Sequence, residues 1–509
     1  MKKKYNLFST GIITLILLAA CDKGFDKMNI NPIALTAVEP AYQLNTTIVN
    51  SAPTYGNLSY ETTIVKQMIT PFSGQGSAAN FNQDNRGVTS GNWTTFYRSI
   101  IKELTDVVAK TKDDASRTNL YNMARIWRAY AFMILTDTYG NVPYTEAGLG
   151  FLSGNTGPAY DTQEAIYTDI LKELETASAA LDASKPLVAS DVLYGGDVAK
   201  WKRLGNSLLL RAAMRLSKVS PDKAKEYVAK AVTGGLMTSN KDNAMIRHTA
   251  SFSNPVGSSL NGGQSAFFYL DKEFVDYLMV NNDPRLASIA VRYVGALSGA
   301  NQVESRANRA VSVQIGMPQG YDNTTISADV ADKKLASLWD YSQLDKTRMA
   351  ALTAPSFLVT YAQTQLLLAE AAFRGWTTGA AATLYAEGIK AHMQQLADYG
   401  ASSAVQDAAV TAYLAAHPLP AGKELEEINT QYWVASFLIG PEAFANFRRS
   451  GYPVLKPNPY PGSDLKTEPF IRRLTYTDAE LNVNHDNVQK AIQSQGPDLL
   501  DTRIWWDKK

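Results

Sequence analysis

Cys21 is the one thiol in the chain, and a thiol can serve as nucleophile, metal ligand or attachment point. With no second cysteine, a disulfide within the chain is excluded by count. His248, His392, His417 and His485 stand far apart and form no HExxH pattern, so a zinc hydrolase has no ligand set here. A GxSxG nucleophile elbow and a GxxxxGK(S/T) loop are both missing. Gly74-Gln75-Gly76-Ser77 lacks a third glycine and a preceding apolar strand, and reads as a loop rather than a phosphate cradle. A glycosidase needs two acids close together in space, drawn from anywhere in the sequence. The chain has 48 acidic residues, most of which solvated helix faces and caps account for.

The context of Cys21 assigns the thiol a different task. Lys2-Lys3-Lys4 forms a basic start, and Leu7 to Ala20 is an apolar or small run. That run is shorter than the ~20 residues a membrane-spanning helix needs, and its order is that of a secretory signal. It ends Leu18-Ala19-Ala20-Cys21, which resembles a bacterial lipobox, where the cysteine is thioether-linked to diacylglycerol and becomes the new N-terminus. Two or more lipid chains give stable anchoring. Removing a leader with three lysines and no acids takes the formal charge from +1 to −2. Such a balance argues against nucleic acid as a partner. The expected organisation is a signal peptide over 1–20, a lipidated N-terminus and tether over 21–38, and one domain over 39–509.

Helical periodicity dominates that domain. Trp93, Phe96, Tyr97, Ile100, Ile101, Leu104 and Val107 share one face, as do Leu120, Met123, Trp127, Tyr130 and Ile134. The second helix should stop at Tyr139-Gly140-Asn141-Val142-Pro143, with glycine past its end and proline soon after. Asp161-Thr162-Gln163-Glu164 resembles a capping box, and Pro221 and Gly235 frame a further helix. Helix pairs are predicted near 120–182, 200–234, 357–399 and 405–439. Trp201-x2-Leu204-Gly205-x2-Leu208 partly matches the opening of a tetratricopeptide unit, without a strict 34-residue period. The fold class is therefore mainly α, a TPR-like helical-repeat scaffold of about four pairs with an irregular, loop-rich portion. The irregular segments run over about 247–264, 294–335 and 451–469, and long loops on a rigid scaffold commonly carry function.

Several stretches together resemble the SusD/RagB-like outer-membrane lipoproteins, in their SusD-like subgroup. They are Ala124 through Glu146, Phe357 through Trp376, Ile471-Arg472-Arg473-Leu474-Thr475-Tyr476 with Glu480 and Asn487, and Trp505-Trp506-Asp507. Thr477 stands where relatives usually have proline, and Gln363 where many have glutamate. The resemblance implies a non-catalytic protein at the outer membrane, lipid-anchored and exposed at the cell surface. It implies capture of oligosaccharides, or sometimes peptides, for delivery to a SusC-like TonB-dependent barrel. No cofactor is expected, and a structural calcium is left open by the sequence without being indicated.

For such a ligand, sugar C–H faces stack on exposed rings while hydroxyls bond to amides and short polar groups. Trp93, Tyr97, Trp127, Tyr130, Trp201, Trp376 and Tyr432 have helical spacing and belong to the core. The candidates are loop residues: Trp339 and Tyr341, Tyr321 and Asn323, and Phe81 and Asn82. The rival readings are an anchored glycoside hydrolase or lyase, and a TPR-type adaptor that binds only protein. Cys21→Ala is expected to move the protein out of the membrane fraction after detergent-free lysis. A variant that still pelleted with outer membrane, in the absence of any barrel, would show that lipidation is not the anchor.

Overall fold

The computed structural model describes residues 38–72 and 77–509. The leader, Cys21 and the tether, as well as Gly74 and Gly76, lie outside the described residues. The chain divides into Met1–Glu39 and Pro40–Lys509, and the second unit holds the described helices and strands. Among the described residues no helix is long and apolar enough to cross a membrane.

Eight helices form the scaffold: α1 (Thr118–Tyr139), α2 (Gln163–Ala180), α3 (Val198–Arg215), α4 (Pro221–Gly234), α5 (Tyr361–Phe373), α6 (Ala381–Gln395), α7 (Glu424–Ala435) and α8 (Gly440–Ser450). They pair in order as α1 with α2, α3 with α4, α5 with α6 and α7 with α8. The pairs are joined through α2 on α3, α3 on α5 and α5 on α7, and α8 returns to α1. This is a mainly helical, TPR-like scaffold. The fourth pair differs in its members from the one read over 405–439. Asp407–Ala416 instead packs on α6, and α7 turns at Gly440 into α8.

Local sequence explains where these helices begin and end. Gly140 ends α1 with φ +84°, and a Cβ there would fall 1.8 Å from Gln495 Oε1. That oxygen accepts the Asn141 amide at 2.6 Å, so only glycine lets the C-terminal helix dock on the turn. The start of α2 is one residue later than the motif suggested. Thr162 is the N-cap and accepts from the Ala165 amide, while Asp161 turns away to the amides of Tyr144 and Thr145. The stretch from Phe357, read as helix, opens instead as the strand Ser356–Val359, antiparallel to Ala244–Ile246. A short apolar run does not distinguish strand from helix by periodicity. Thr360 and Gln363 then form the capping box that starts α5.

Trp93, Trp127, Tyr130, Trp201 and Tyr432 are buried in the main core as their spacing required, whereas Tyr97 and Trp376 are only half-buried against it. Beside that core lie two small ones. Ile69, Tyr269, Met317, Ile326, Leu335, Leu338 and Tyr341 form one, and Val291, Tyr293 and Ala296 the other. They sit beneath the irregular segments, with short ladders pairing Met68–Ile69 to Tyr269–Leu270 and Ala290–Tyr293 to its two neighbours.

Charged side chains cross-link the scaffold from inside. Arg449 on α8 grips Glu370 on α5 through two bonds of 2.8 and 2.6 Å, with both residues 1 % exposed. Asn429 of α7 and Arg374 bond the same carboxylate. Burial alone would raise this carboxyl, but Arg449, Arg374 and Asn429 outweigh it and hold it down at about 2. A depressed folded pKa stabilises above the unfolded value, and that stabilisation is lost as pH falls toward the folded one. Unfolding measured from pH 6 to pH 2 should therefore show a loss of roughly 3 kcal/mol below about pH 4.5 that traces to Glu370. Glu370→Gln should be less stable at neutral pH and flatter through that window. An unchanged acid limb in the variant would refute this assignment.

Candidate ligand-binding surface

Trp339 lies in a single turn, Leu338–Asp340, whose backbone is held from both sides. Ser337 Oγ accepts the Trp339 amide at 3.1 Å and donates to the Ala296 carbonyl at 2.6 Å. Gln302 Nε2 donates to the Trp339 carbonyl at 3.0 Å. The next carboxylate, Asp340, is buried and accepts from Arg292 Nε and the amides of Gly295 and Ala336. Arg292 also donates to the Val313 carbonyl, which extends the clamp to another loop.

Held in this way, the indole is half-buried between the two small cores and packs on both. Gly299 closes against its edge. A Cβ at Gly299 would lie 2.7 Å from the Ala266 Cβ, so glycine is what lets this turn approach Ala266, while Trp339 Nε1 at 3.5 Å would be in ordinary contact with it. The indole Nε1 makes no hydrogen bond among the described residues. A fixed ring with one open donor suits a ligand that offers an apolar face beside hydroxyls or amides.

Around the rim of the same core lie Tyr321 and Phe72, both half-buried. Phe72 meets Phe267 edge-to-face at 4.9 Å between centroids. The Tyr321 carbonyl accepts from Asn80, and the Asn323 amide donates to the Pro71 carbonyl at 3.0 Å, which ties this loop to the segment that holds Pro71 and Asn80. Asn323 itself is exposed.

Three of the sequence-derived candidates are placed differently. Tyr341 is fully buried, with its hydroxyl donated to Asp329, so it is core and not an exposed platform. Phe81 is 4 % exposed and stacks on Tyr460 at 4.5 Å, using its ring to dock the 451–469 segment. Asn82 is buried with φ +50°, and its carbonyl accepts the Asp464 amide. Each was read as exposed because it lies in a loop, but a partner distant in sequence covers it. Phe72 is a rim ring that the loop candidates do not include. For Phe72 a signal existed, an aromatic leading into the Ser73-Gly74-Gln75-Gly76 stretch.

Asp340 and Asp322, the acids next in sequence to Trp339 and Tyr321, are committed to structure. Asp340 has its oxygens occupied by donors. Asp322 accepts the Thr324 hydroxyl and the amides of Thr324 and Thr325, which hold its carboxyl at about 2. A carboxyl so acidic carries no proton to donate at neutral pH, so it cannot serve as the general acid of a glycosidase.

Ser337→Ala removes both the cap and the bond to Ala296. It should cost about 1 kcal/mol of stability and speed amide hydrogen exchange at Trp339 and Asp340 more than in α1 to α8. Equal protection in the variant would mean that the turn is held without Ser337.

A family model described as starch-binding and associating with outer membrane, SusD-like, matches residues 32–477. Among solved structures, a chitin-binding protein is 30 % identical with TM-score 0.81, covering 92 % of this chain and all of that one. A chitin-binding SusD homolog from Flavobacterium johnsoniae is 25 % identical with TM-score 0.73, covering 92 % of this chain and 95 % of its own. A SusD homolog from Bacteroides uniformis is 26 % identical with TM-score 0.74, over 92 % and 99 %. No match was found among curated protein sequences. With a family model spanning most of its length and four helix pairs carrying an irregular, ring-bearing portion, the chain belongs to the SusD-like family.

Proposed function

We propose that this protein is a non-catalytic nutrient-binding lipoprotein of the outer membrane that captures oligosaccharides and passes them to a SusC-like TonB-dependent barrel. The observation that carries the reading is the clamped, half-exposed indole of Trp339, with Tyr321 and Phe72 on the rim of the same small core. A rigid ring binds a sugar face without first being ordered, so less of the stacking energy is offset by lost freedom. The acids beside it are committed to structure, which favours binding over hydrolysis. Cys21 supplies the anchor in this proposal, and the barrel is the partner implied by family membership.

Chitin-type oligosaccharides are the first ligands to try, because two of the similar structures are of chitin-binding proteins. Their N-acetyl groups add amide and methyl surface that an indole face and its open N–H can both use. Calorimetric titration of the chain from Asp22 onward should give saturable binding to one glycan class, with no change in the sugar recovered. Trp339→Ala should weaken it by at least about tenfold, equivalent to ~1.4 kcal/mol. Shortened products would install the hydrolase reading in its place. Failure to bind any glycan, alongside co-purification with proteins other than a TonB-dependent barrel, would install the adaptor reading.

A further inference from the structure

A second concavity lies within the scaffold, among residues separate from the Trp339 surface. It has a volume of about 120 Å³, and its lining includes Thr54 and Gly91, which are exposed. Its inner wall is largely apolar, with Val88, Phe96, Met133, Ile134, Leu358 and Leu474. Glu61 also lines it, and that residue is 1 % exposed.

The buried acids on the scaffold helices have cations to meet them, although Asp191 and Asp271, elsewhere in the fold, pair with none among the described residues. Glu370 has Arg449, Asp137 has Arg215, and Glu442 has both Arg215 and Arg211. Glu61 has amides instead: Asn92 Nδ2 donates at 2.6 Å and Asn57 Nδ2 at 3.4 Å. Among the described residues no lysine or arginine comes within salt-bridge distance of it. Burial is the main influence on this carboxyl and raises it to about 7. Its own backbone amide, Asn57, Asn92 and the more distant Arg448 oppose the rise. Tyr130, also lining the cavity, is 3 % exposed, and its hydroxyl finds no hydrogen-bond partner among the described residues. The remaining charged groups on the wall, Asp137, Arg211 and Glu442, are engaged with one another or with Arg215. The unmet charge and the unmet hydroxyl therefore face the same small space.

We propose that this cavity binds a compact primary ammonium ion with a short aliphatic body, with Glu61 and the Tyr130 hydroxyl as acceptors for its N–H groups. The size fits, because an apolar cavity of about 150 Å³ holds benzene, and this one suits an occupant of roughly five heavy atoms. The chemistry fits as well. An ammonium group supplies the cation that Glu61 lacks, while the apolar wall receives the alkyl chain.

The test uses the full-length protein with n-butylammonium chloride as probe, and sodium chloride and n-butanol as controls. At pH 8 the thermal midpoint should rise saturably with the ammonium salt alone. At pH 5, where Glu61 takes up a proton and the amine stays charged, the apparent affinity should fall at least tenfold. Glu61→Gln should abolish the response, and Tyr130→Phe should weaken it about threefold. Proton release gives a readout that needs no variant. Binding at pH 7 pulls the Glu61 carboxyl down, so titrations in buffers of different ionisation enthalpy should show about half a proton released. Zero release, an equal response from n-butanol, or an undiminished response in Glu61→Gln would each overturn the proposal.

Discussion

Arg215 has no exposed surface, and its guanidinium is the point on which the scaffold closes. From α3 its Nε reaches Asp137 of α1 at 3.1 Å, and its Nη2 reaches Glu442 of α8 at 2.6 Å. The two acids collect the rest of the fold. Asp137 accepts Tyr167 of α2 at 2.5 Å and the Trp506 indole at 2.9 Å, and Glu442 accepts Tyr432 of α7 at 2.7 Å. One buried cluster thus ties α1, α2, α3, α7, α8 and the C-terminal segment, members of three of the four helix pairs, into a single register. Buried ions are poor sources of net stability, because desolvation offsets much of their attraction. They are strict about geometry, since any packing that separates them leaves an unpaired charge in the interior.

That strictness bears on the irregular portion. A loop surface can present a ring at a fixed angle only if the body beneath it does not shift. Lys66 pairs with Glu273, the Gln67 amide reaches the Trp433 carbonyl, and Gln319 reaches the Thr63 carbonyl, so the ring-bearing segments are bonded to α7 and to one another. The small cores supply the local footing. The clamp on Trp339 uses side chains and carbonyls from Arg292, Ala296, Gln302 and Val313, none of which lies on a scaffold helix. Scaffold and surface therefore share buried ion pairs but differ in the rest, packed helices in one and capped turns with short ladders in the other.

Gln363 and Thr477, where the family resemblance leads one to expect glutamate and proline, fit the same logic. Gln363 accepts from Arg211 and donates to Ser436, so a neutral amide does the bridging there, and Arg211 has Glu442 for its charge. Thr477 caps the helix Asp478–Val483 by accepting the Glu480 amide. Proline could not do that, and the helix it opens carries Glu480 to the Tyr160 hydroxyl.

The sequence by itself determined what is local. Periodicity placed the helices, glycine and proline marked their ends, and the spacing of Trp93, Trp127 and Trp201 put those rings inside, because a helix face is set by residues three and four apart. Only the tertiary structure decided which loop rings stay open. Trp339 and Tyr341 are two positions apart with similar neighbours, yet one is clamped half-exposed and the other is buried on Asp329. Phe81 is covered by Tyr460, whose approach no local pattern encodes, and Phe72 reaches the rim through loops brought together from far along the chain. The same holds for the Asp137–Arg215–Glu442 cluster and for the unmet charge of Glu61. Burial in an irregular segment, and the partner of a buried charge, depend on contacts beyond the reach of local periodicity, from Asp329 near Tyr341 to Tyr460 far from Phe81, and these come into being only when the chain has folded.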